Sequence, residues 1–502
     1  MRYGLPVVSV AAFALICAAA TVGLAQSGGF TVRDAILQTI QTNPGIGEAA
    51  ANRRATESEL RQNQSLLLPQ VRLEASTGPE KLNLRDTNPV AAGNDSFHSG
   101  SKASVVVRQL LFDGLASLNE IWRQGARTDA AAARVHERTE LIALDAVEAY
   151  VDIVRYTRLV ALAQENIQAH EKIFGNMDAR FRGGRAGEGD LEQARERVLS
   201  AKAVLEEFRR NLEDARAKFR NVVGLEAHNL RNPSRLSNLP ASRDVALATA
   251  LRHNPTIQAA QSDADAARYG FRATGGSFAP TISLEGRYTR GRDTDRFTGD
   301  YDETSGKVVM SWDVFNGGRD LWRRNEAAER YQEQTMRHAR LQRAAFESID
   351  KAWNARTITA NRIVQLSREV EAARKTFSAY TKEFDIGQRS VIDLLNAENQ
   401  LFNAQVSLVS ARAVVVFADY QLLAAMGALT VYVKAPHPVD AEPLATKPFG
   451  LIPTKLAPIR LDLPSRGPEP LPVLPPDPPS GRASIFAPSF PGLIVQERKP
   501  GN

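Results

Sequence analysis

Thiol chemistry is nearly missing from this 502-residue chain, whose single cysteine is Cys17. Cys17 lies in an apolar stretch from Leu5 to Ala20, preceded by Arg2 and followed by Gly23-Leu24-Ala25. That is the pattern of a secretory signal with a small-x-small cleavage site, expected over residues 1–25. The mature chain would then hold no disulfide, metal thiolate or cysteine nucleophile. Bulky Ile16, ahead of Cys17, argues against lipid attachment there. No other window carries ~18 uninterrupted apolar residues, so a membrane contact in the mature chain has to be made by strands. A charge excess is missing too: Lys and Arg total 63 against 57 Asp and Glu, a net +6 whose signs interleave along the chain. This argues against nucleic-acid binding.

Catalytic signatures are equally scarce. His98, His136, His170, His228, His253, His338 and His437 form no His-x-x-x-His pair and no ligand-spaced cluster, so they read as surface residues and no metal or other cofactor is expected. Gly183-Gly184-Arg185-Ala186-Gly187 lacks the Gly-Lys-Ser/Thr ending of a phosphate loop, and nothing resembles a nucleophile elbow. An enzyme is not expected.

Proline is absent from 90 to 232 and from 281 to 435, while 17 of the 26 prolines fall between Pro436 and Pro500. An interior proline removes a helix hydrogen bond and clashes with the preceding turn, so the two gaps leave room for very long helices. The C-terminal segment, 433–502, reads as an extended tail with little capacity for a core.

The body, about 26–432, is a duplication of about 30–230 and 240–430. Arg33-Asp34-Ala35 through Asn43-Pro44 returns as Arg243-Asp244-Val245 through Asn254-Pro255, and Pro69 matches Pro280, at an offset of 210 at the start (243 − 33) and 211 from Asn43 on (254 − 43, 280 − 69). From Leu111-Phe112-Asp113-Gly114 and Val314-Phe315-Asn316-Gly317 onward the offset is 203 without a gap, pairing Tyr150 with Trp353, Asp190-Leu191 with Asp393-Leu394 and Gly224 with Gly427.

Each half changes period in the same order. Val71, Leu73, Ala75 and Thr77 alternate with polar residues, as do Ile282, Leu284, Gly286 and Tyr288, which is strand periodicity. A second strand follows, with Val105, Val107 and Leu111 matching Val308, Met310 and Val314, the latter on one face with Trp312. Polar, turn-rich stretches at Pro79–Gly100 and Gly291–Gly306 would close two hairpins. Helical character then runs from Ala116 to about Met177 and from Arg319 to about Tyr380, on the order of 90 Å each at 1.5 Å per residue. A glycine-containing turn reverses each, and the returning helix carries a coiled-coil seam: Leu191, Ala194, Val198, Ala201 and onward, or Leu394, Ala397, Leu401, Ala404 and onward, at 3,4 spacing.

Four amphipathic strands cannot close a transmembrane barrel, since such barrels start at about eight, and an open edge cannot face lipid. The barrel must be shared between chains. The duplicated pattern, the paired strand ends and the Gly387-Gln388-Arg389-Ser390-Val391-Ile392-Asp393 turn resemble the TolC family over about residues 30–430. That resemblance implies a mainly α fold with a transmembrane β-barrel: a homotrimer in the outer membrane, in contact with its lipid, whose three protomers give four strands each to one barrel and their helices to a periplasmic tunnel closed at the tip. It also implies a periplasmic adaptor (membrane-fusion) protein and an inner-membrane transporter, ABC or proton-driven, as partners.

The family's gate maps onto this chain residue by residue. Arg389 matches an arginine that tethers neighbouring helices, Asp190 its acidic partner and Asp393 a constricting ring of aspartates. Two positions depart from the best-known pattern: Asn396 stands where a second aspartate is usual, and Phe384 where a tyrosine hydroxyl would donate a hydrogen bond. Of the four tryptophans, Trp312 is the one expected in a strand and hence at a membrane interface. The tract from Asn166 to Asp190, with Arg182-Gly183-Gly184-Arg185 at its turn, resembles the type I protein-secretion branch; the alternative is the outer component of a drug-efflux pump. A periplasmic coiled-coil adaptor would need one helical hairpin rather than two.

Overall fold

The computed structural model describes residues 29–80, 98–294, 299–436 and 438–444. The expected signal segment, the tips of both strand hairpins and most of the proline-rich tail lie outside them.

The first half runs α1 (Val32–Thr42), α2 (Pro44–Ser65), β1 (Gln70–Glu80), β2 (His98–Phe112), α3 (Ala116–Arg182) and α4 (Glu188–Val223). The second runs α5 (Arg243–His253), α6 (Pro255–Ala273), β3 (Thr281–Arg292), β4 (Asp300–Ser311), α7 (Arg319–Asp385) and α8 (Val391–Met426), with a short α9 (Leu429–Tyr432) after it. The 203-residue offset holds at every end of the long helices: 319 − 116, 385 − 182, 391 − 188 and 426 − 223. Both outgoing helices have 67 residues and both returning helices have 36.

Two local details differ from the sequence expectation and one adds to it. The long helices continue past Met177 and Tyr380 to Arg182 and Asp385, because nothing before the turn glycines interrupts them. The turns are therefore only 183–187 and 386–390, with Gly184 and Gly387 at φ +69° and +81°. Next, the stretch before the strands is two helices in each half, broken at Asn43-Pro44 and Asn254-Pro255. Each asparagine accepts from the following helix at its N-terminus, with Pro at the first helical position. Its amide donates to the end of the return helix, Asn43 to the Val222 carbonyl at 2.9 Å and Asn254 to that of Ala425 at 2.8 Å. Those helices end at Gly224 and Gly427, φ +78° and +70°; a Cβ on Gly427 would also stand 2.5 Å from the His253 carbonyl.

Last, β4 ends at Ser311 opposite Thr281, so Trp312 and Val314 lie beyond the strand instead of within it. The residue before Thr281 is Pro280, which has no N–H with which to extend the ladder.

The sheet is antiparallel in the order β1-β2-β3-β4, so the two strand hairpins are joined edge to edge by β2 and β3. Its outer strands, β1 and β4, each have one edge unpaired among the described residues.

The halves join in a core where the short helices meet the middle of the long ones, around Ile36, Tyr150, Phe219, Ile349, Leu422 and Leu429. Two buried carboxylates fix it. Glu140 of α3 accepts from the backbone N–H groups of Leu429 and Thr430 at 3.0 and 2.9 Å, capping α9. Asp419 of α8, fully buried, accepts from Arg235 at 2.9 and 3.1 Å, from Arg356 at 3.1 Å and from the Leu236 N–H at 3.2 Å. Beyond α9, Val433 and Ala441 are buried, and Arg54 binds Asp440 at 2.6 Å, so the described part of the tail lies against α1–α3.

By length and composition alone α8 could cross a membrane, with a mean hydropathy of 1.6 over an 18-residue window. Many of its apolar residues instead face helices: Leu401, Ala404, Leu408 and Ala411 pack on Leu366, Val370 and Ala373 of α7, and Phe402 packs on Leu159 and Ile167 of α3.

Candidate membrane face and gate

Pairing registers place the strand side chains in rows. One face carries Val71 and Leu73 of β1, Val105 and Val107 of β2, Ile282, Leu284 and Tyr288 of β3, and Val308 and Met310 of β4. Among the described residues most of these side chains are left uncovered: Leu73 is 74% exposed and Val308 68%. The opposite face carries Arg72 and Glu74, Lys102, Ser104 and Arg108, Glu285 and Arg287, and Ser305 and Lys307, with Arg108 and Glu285 3.4 Å apart. A sheet that is apolar on one side and ionic on the other fits lipid outside and water inside.

The apolar face also has an upper limit. Past Tyr288 the same side becomes ionic, with Arg292 held bidentately by Asp300 at 2.6 and 3.0 Å and the Tyr288 hydroxyl donating to Asp302 at 3.1 Å. Trp312, half exposed, continues the alternation of Val308 and Met310 one residue below the strand. From the row of Tyr288 and Thr304 down to Trp312 is eight residues, ~27 Å along the strand or ~20 Å once tilted, of the order of the ~25 Å lipid-facing band of such barrels. Tyr288 and Trp312 thus stand at the two ends of the apolar rows.

At the far end the two helical hairpins close in the same way. Gly184 and Arg185 donate to the carbonyls of Phe181 and Arg180, and Gly387 and Gln388 to those of Phe384 and Glu383, all at 2.8–3.0 Å. The hairpins share a small apolar core: Ile173, Met177, Leu191 and Ala194 of the first against Phe384, Val391, Leu394 and Leu395 of the second. Phe384, only 3% exposed, packs there, and Arg180 stacks 4.1 Å over its ring while donating to its carbonyl at 2.8 Å.

Arg389 and Asp393 come together at the second turn, while Phe384 is turned into the core between the hairpins. Arg389 donates to Glu383 at 2.9 Å, lies 4.2 Å over the Tyr380 ring and stands 3.8 Å from Asp393. The Glu383 carboxylate raises the pKa of the guanidinium further, so it is charged at any working pH. Asp393 is in the first turn of α8, where Ser390 caps its N–H at 3.2 Å, and Asp190 is at the equivalent first-turn place in α4. Asn396 is exposed one turn further on. Within one chain Arg389 does not meet Asp190, which takes part in no ion pair among the described residues.

Arg180, Glu383 and Tyr380 are the residues that reading the sequence missed. One signal was available: at the 203 offset Arg180 aligns with Glu383, an opposite charge at one repeat position (383 − 180). The histidines need one correction, since His170 is 3% exposed rather than on the surface. Among the described residues no three His, Cys, Asp or Glu side chains are placed to hold a metal.

An open sheet with a lipid-type face, carried on duplicated helical hairpins, defines the architecture of an outer-membrane export channel. The chain belongs to the outer membrane efflux protein family, which it matches over residues 35–225 and 246–428, one match in each half. It is 26% identical to the outer membrane efflux protein BepC of Brucella suis across 80% of this chain and 86% of that one. To the alkaline protease secretion protein AprF of Pseudomonas aeruginosa it is 24% identical, across 70% and 73%. The solved structure of the outer membrane protein VceC of Vibrio cholerae matches with a TM-score of 0.71 at 19% identity, covering 79% of this chain and 96% of that one. The TolC-like fold expected from the sequence is the fold observed, and the chain is an outer-membrane export channel rather than an enzyme.

Proposed function

We propose that the chain is the homotrimeric outer-membrane exit duct of a type I protein-secretion system. The observation that carries the assembly is the sheet: four strands, an uncovered apolar face and two unpaired edges. Three copies supply twelve strands, and each β4 edge then meets a β1 edge of its neighbour, leaving no backbone group unpaired in lipid. The helices favour the same arrangement, because Trp322, Met336, Ile358 and Val364 of α7 are exposed and need a neighbour's cover. Trp312 and Tyr288 sit at the two lipid interfaces.

The tips form the gate. Arg389, already charged and oriented by Glu383, reaches Asp190 of an adjacent hairpin, and the three Asp393 side chains narrow the entrance. With Asn396 in place of a further carboxylate, that entrance carries one ring of charge. A periplasmic adaptor and an inner-membrane transporter complete the conduit. Secretion of protein is favoured over efflux of small molecules by the Asn166–Asp190 tract and by the likeness to a protein named for protease secretion. Inactivating the chain in its host should remove one or a few proteins from the medium and leave susceptibility to dyes and detergents unchanged. Raised susceptibility with an unaltered set of secreted proteins would assign it to efflux instead.

A further inference from the structure

Between the tip and the middle of the tunnel, the packing of one hairpin on the other is interrupted by polar groups. Leu395 of α8 packs with Ile173 and Met177 of α3, and Phe402 of α8 with Leu159, Leu162 and Ile167. Glu398 lies midway between Leu395 and Phe402, level with the stretch of α3 that holds Asn166 and His170. All three are more than nine-tenths buried, with exposures of 6%, 5% and 3%. Glu398 Oε2, Asn166 Oδ1 and His170 Nδ1 each have no hydrogen-bond partner among the described residues. A buried polar atom without a partner loses its bonds to water and gains none in return, so this level holds the hairpins together less well than the apolar levels above and below it.

We propose that Glu398, His170 and Asn166 form a polar parting layer between the two hairpins, in which Glu398 and His170 respond to protons in opposite directions and so balance the packed state against pH. The inference rests on the channel reading for its consequence at the gate, but the layer itself does not depend on it.

Burial pushes the Glu398 carboxyl up from 4.5 to about 7. The packed arrangement therefore holds a proton on Glu398 that the parted one releases, and rising pH between 4.5 and 7 favours parting. Burial, with Arg197 beside it, holds the His170 imidazole below its ordinary 6.5. There the parted arrangement binds the extra proton, and falling pH below 6.5 favours parting. Other charges at this level are turned outward. On α3 and α4 these are Lys172 and the Glu171–Lys202 pair, whereas Arg197, 3.5 Å from Glu196, keeps its Nε buried. On α7 they are Arg374, the Glu371–Lys375 pair and Glu369, the last accepting from Gln400 at 3.4 Å. Where the two windows overlap the opposed slopes cancel, so the balance between packed and parted states in the intact layer changes little with pH there, although burial of each group disfavours packing.

Single substitutions unmask the two halves. His170→Gln leaves Glu398 alone, and the parted fraction should rise with pH by at least tenfold from pH 4.5 to 7.5; the ceiling is ~300-fold, set by a displacement from 4.5 to about 7. Glu398→Gln leaves His170 alone, and parting should instead rise as pH falls from 7 to 5. Two measurements on full-length protein in detergent or bilayers read this: amide-exchange protection of peptides spanning 163–177 and 391–402, and open probability in planar bilayers. Opposite pH slopes in the two variants, with a flatter wild type, are expected. Identical profiles in all three proteins would overturn the layer. Opposite slopes in exchange without any conductance would uphold the layer and sink the channel reading.

Discussion

Arg180 and Glu383 occupy one position of the duplicated tip, 203 residues apart, and their opposite charges do different work. Arg180 ties the first hairpin to the Phe384 carbonyl of the second, whereas Glu383 stays within its own hairpin and aims Arg389. That division yields a prediction for the gate. Arg389→Ala should raise basal conductance in planar bilayers several-fold without lowering assembly, since exposed ion pairs contribute little to stability but are enough to bias a gate. Glu383→Gln should give part of the same effect by freeing the arginine, and Asp190→Ala should add little on top of Arg389→Ala. Fully additive effects, or unchanged conductance, would mean that the gate is held elsewhere. Arg389, Asp190 and Asp393 were legible in the sequence because a turn motif marks them. Glu383 and Arg180 were not, because their partners follow from turn closure and hairpin-on-hairpin packing, which no local pattern encodes. His170 was misplaced for a related reason: a histidine on a long polar helix looks solvated until a second helix covers that face.

At the level of elements, the long helices were readable almost to their ends, since proline-free stretches and a gapless repeat leave few alternatives. Their extension into 178–182 and 381–385 was missed because only glycine, and not polarity, stops them. The strand ends were harder, and the stop at Ser311 depends on Pro280 of the neighbouring strand. The sequence alone did not show Asp419, a carboxylate in the apolar C-terminal half of α8 that joins the 224–242 connection to α7 and α8 through Arg235, Arg356 and the Leu236 N–H. Because it is fully buried, Asp419→Ala strands two guanidiniums and one N–H. Both arginines keep some access to water, so the cost should fall at or below the ~3–5 kcal/mol typical of breaking a buried pair. Thermal unfolding in detergent should show a clear drop in Tm, with Asp419→Asn intermediate. An unchanged Tm would make the clamp dispensable.

For the whole molecule, the sheet and the helices make the same demand. The lipid-type face, the free edges of β1 and β4 and the uncovered apolar positions of α7 are all faults in a solitary chain, and a ring of identical neighbours removes them together. Native mass spectrometry of the protein extracted in mild detergent tests this most directly. The account predicts a single species of three copies, which Val308→Asp on the lipid face or a proline placed in the β1 edge should disrupt. A stable monomer that resists heat and still conducts ions would contradict it.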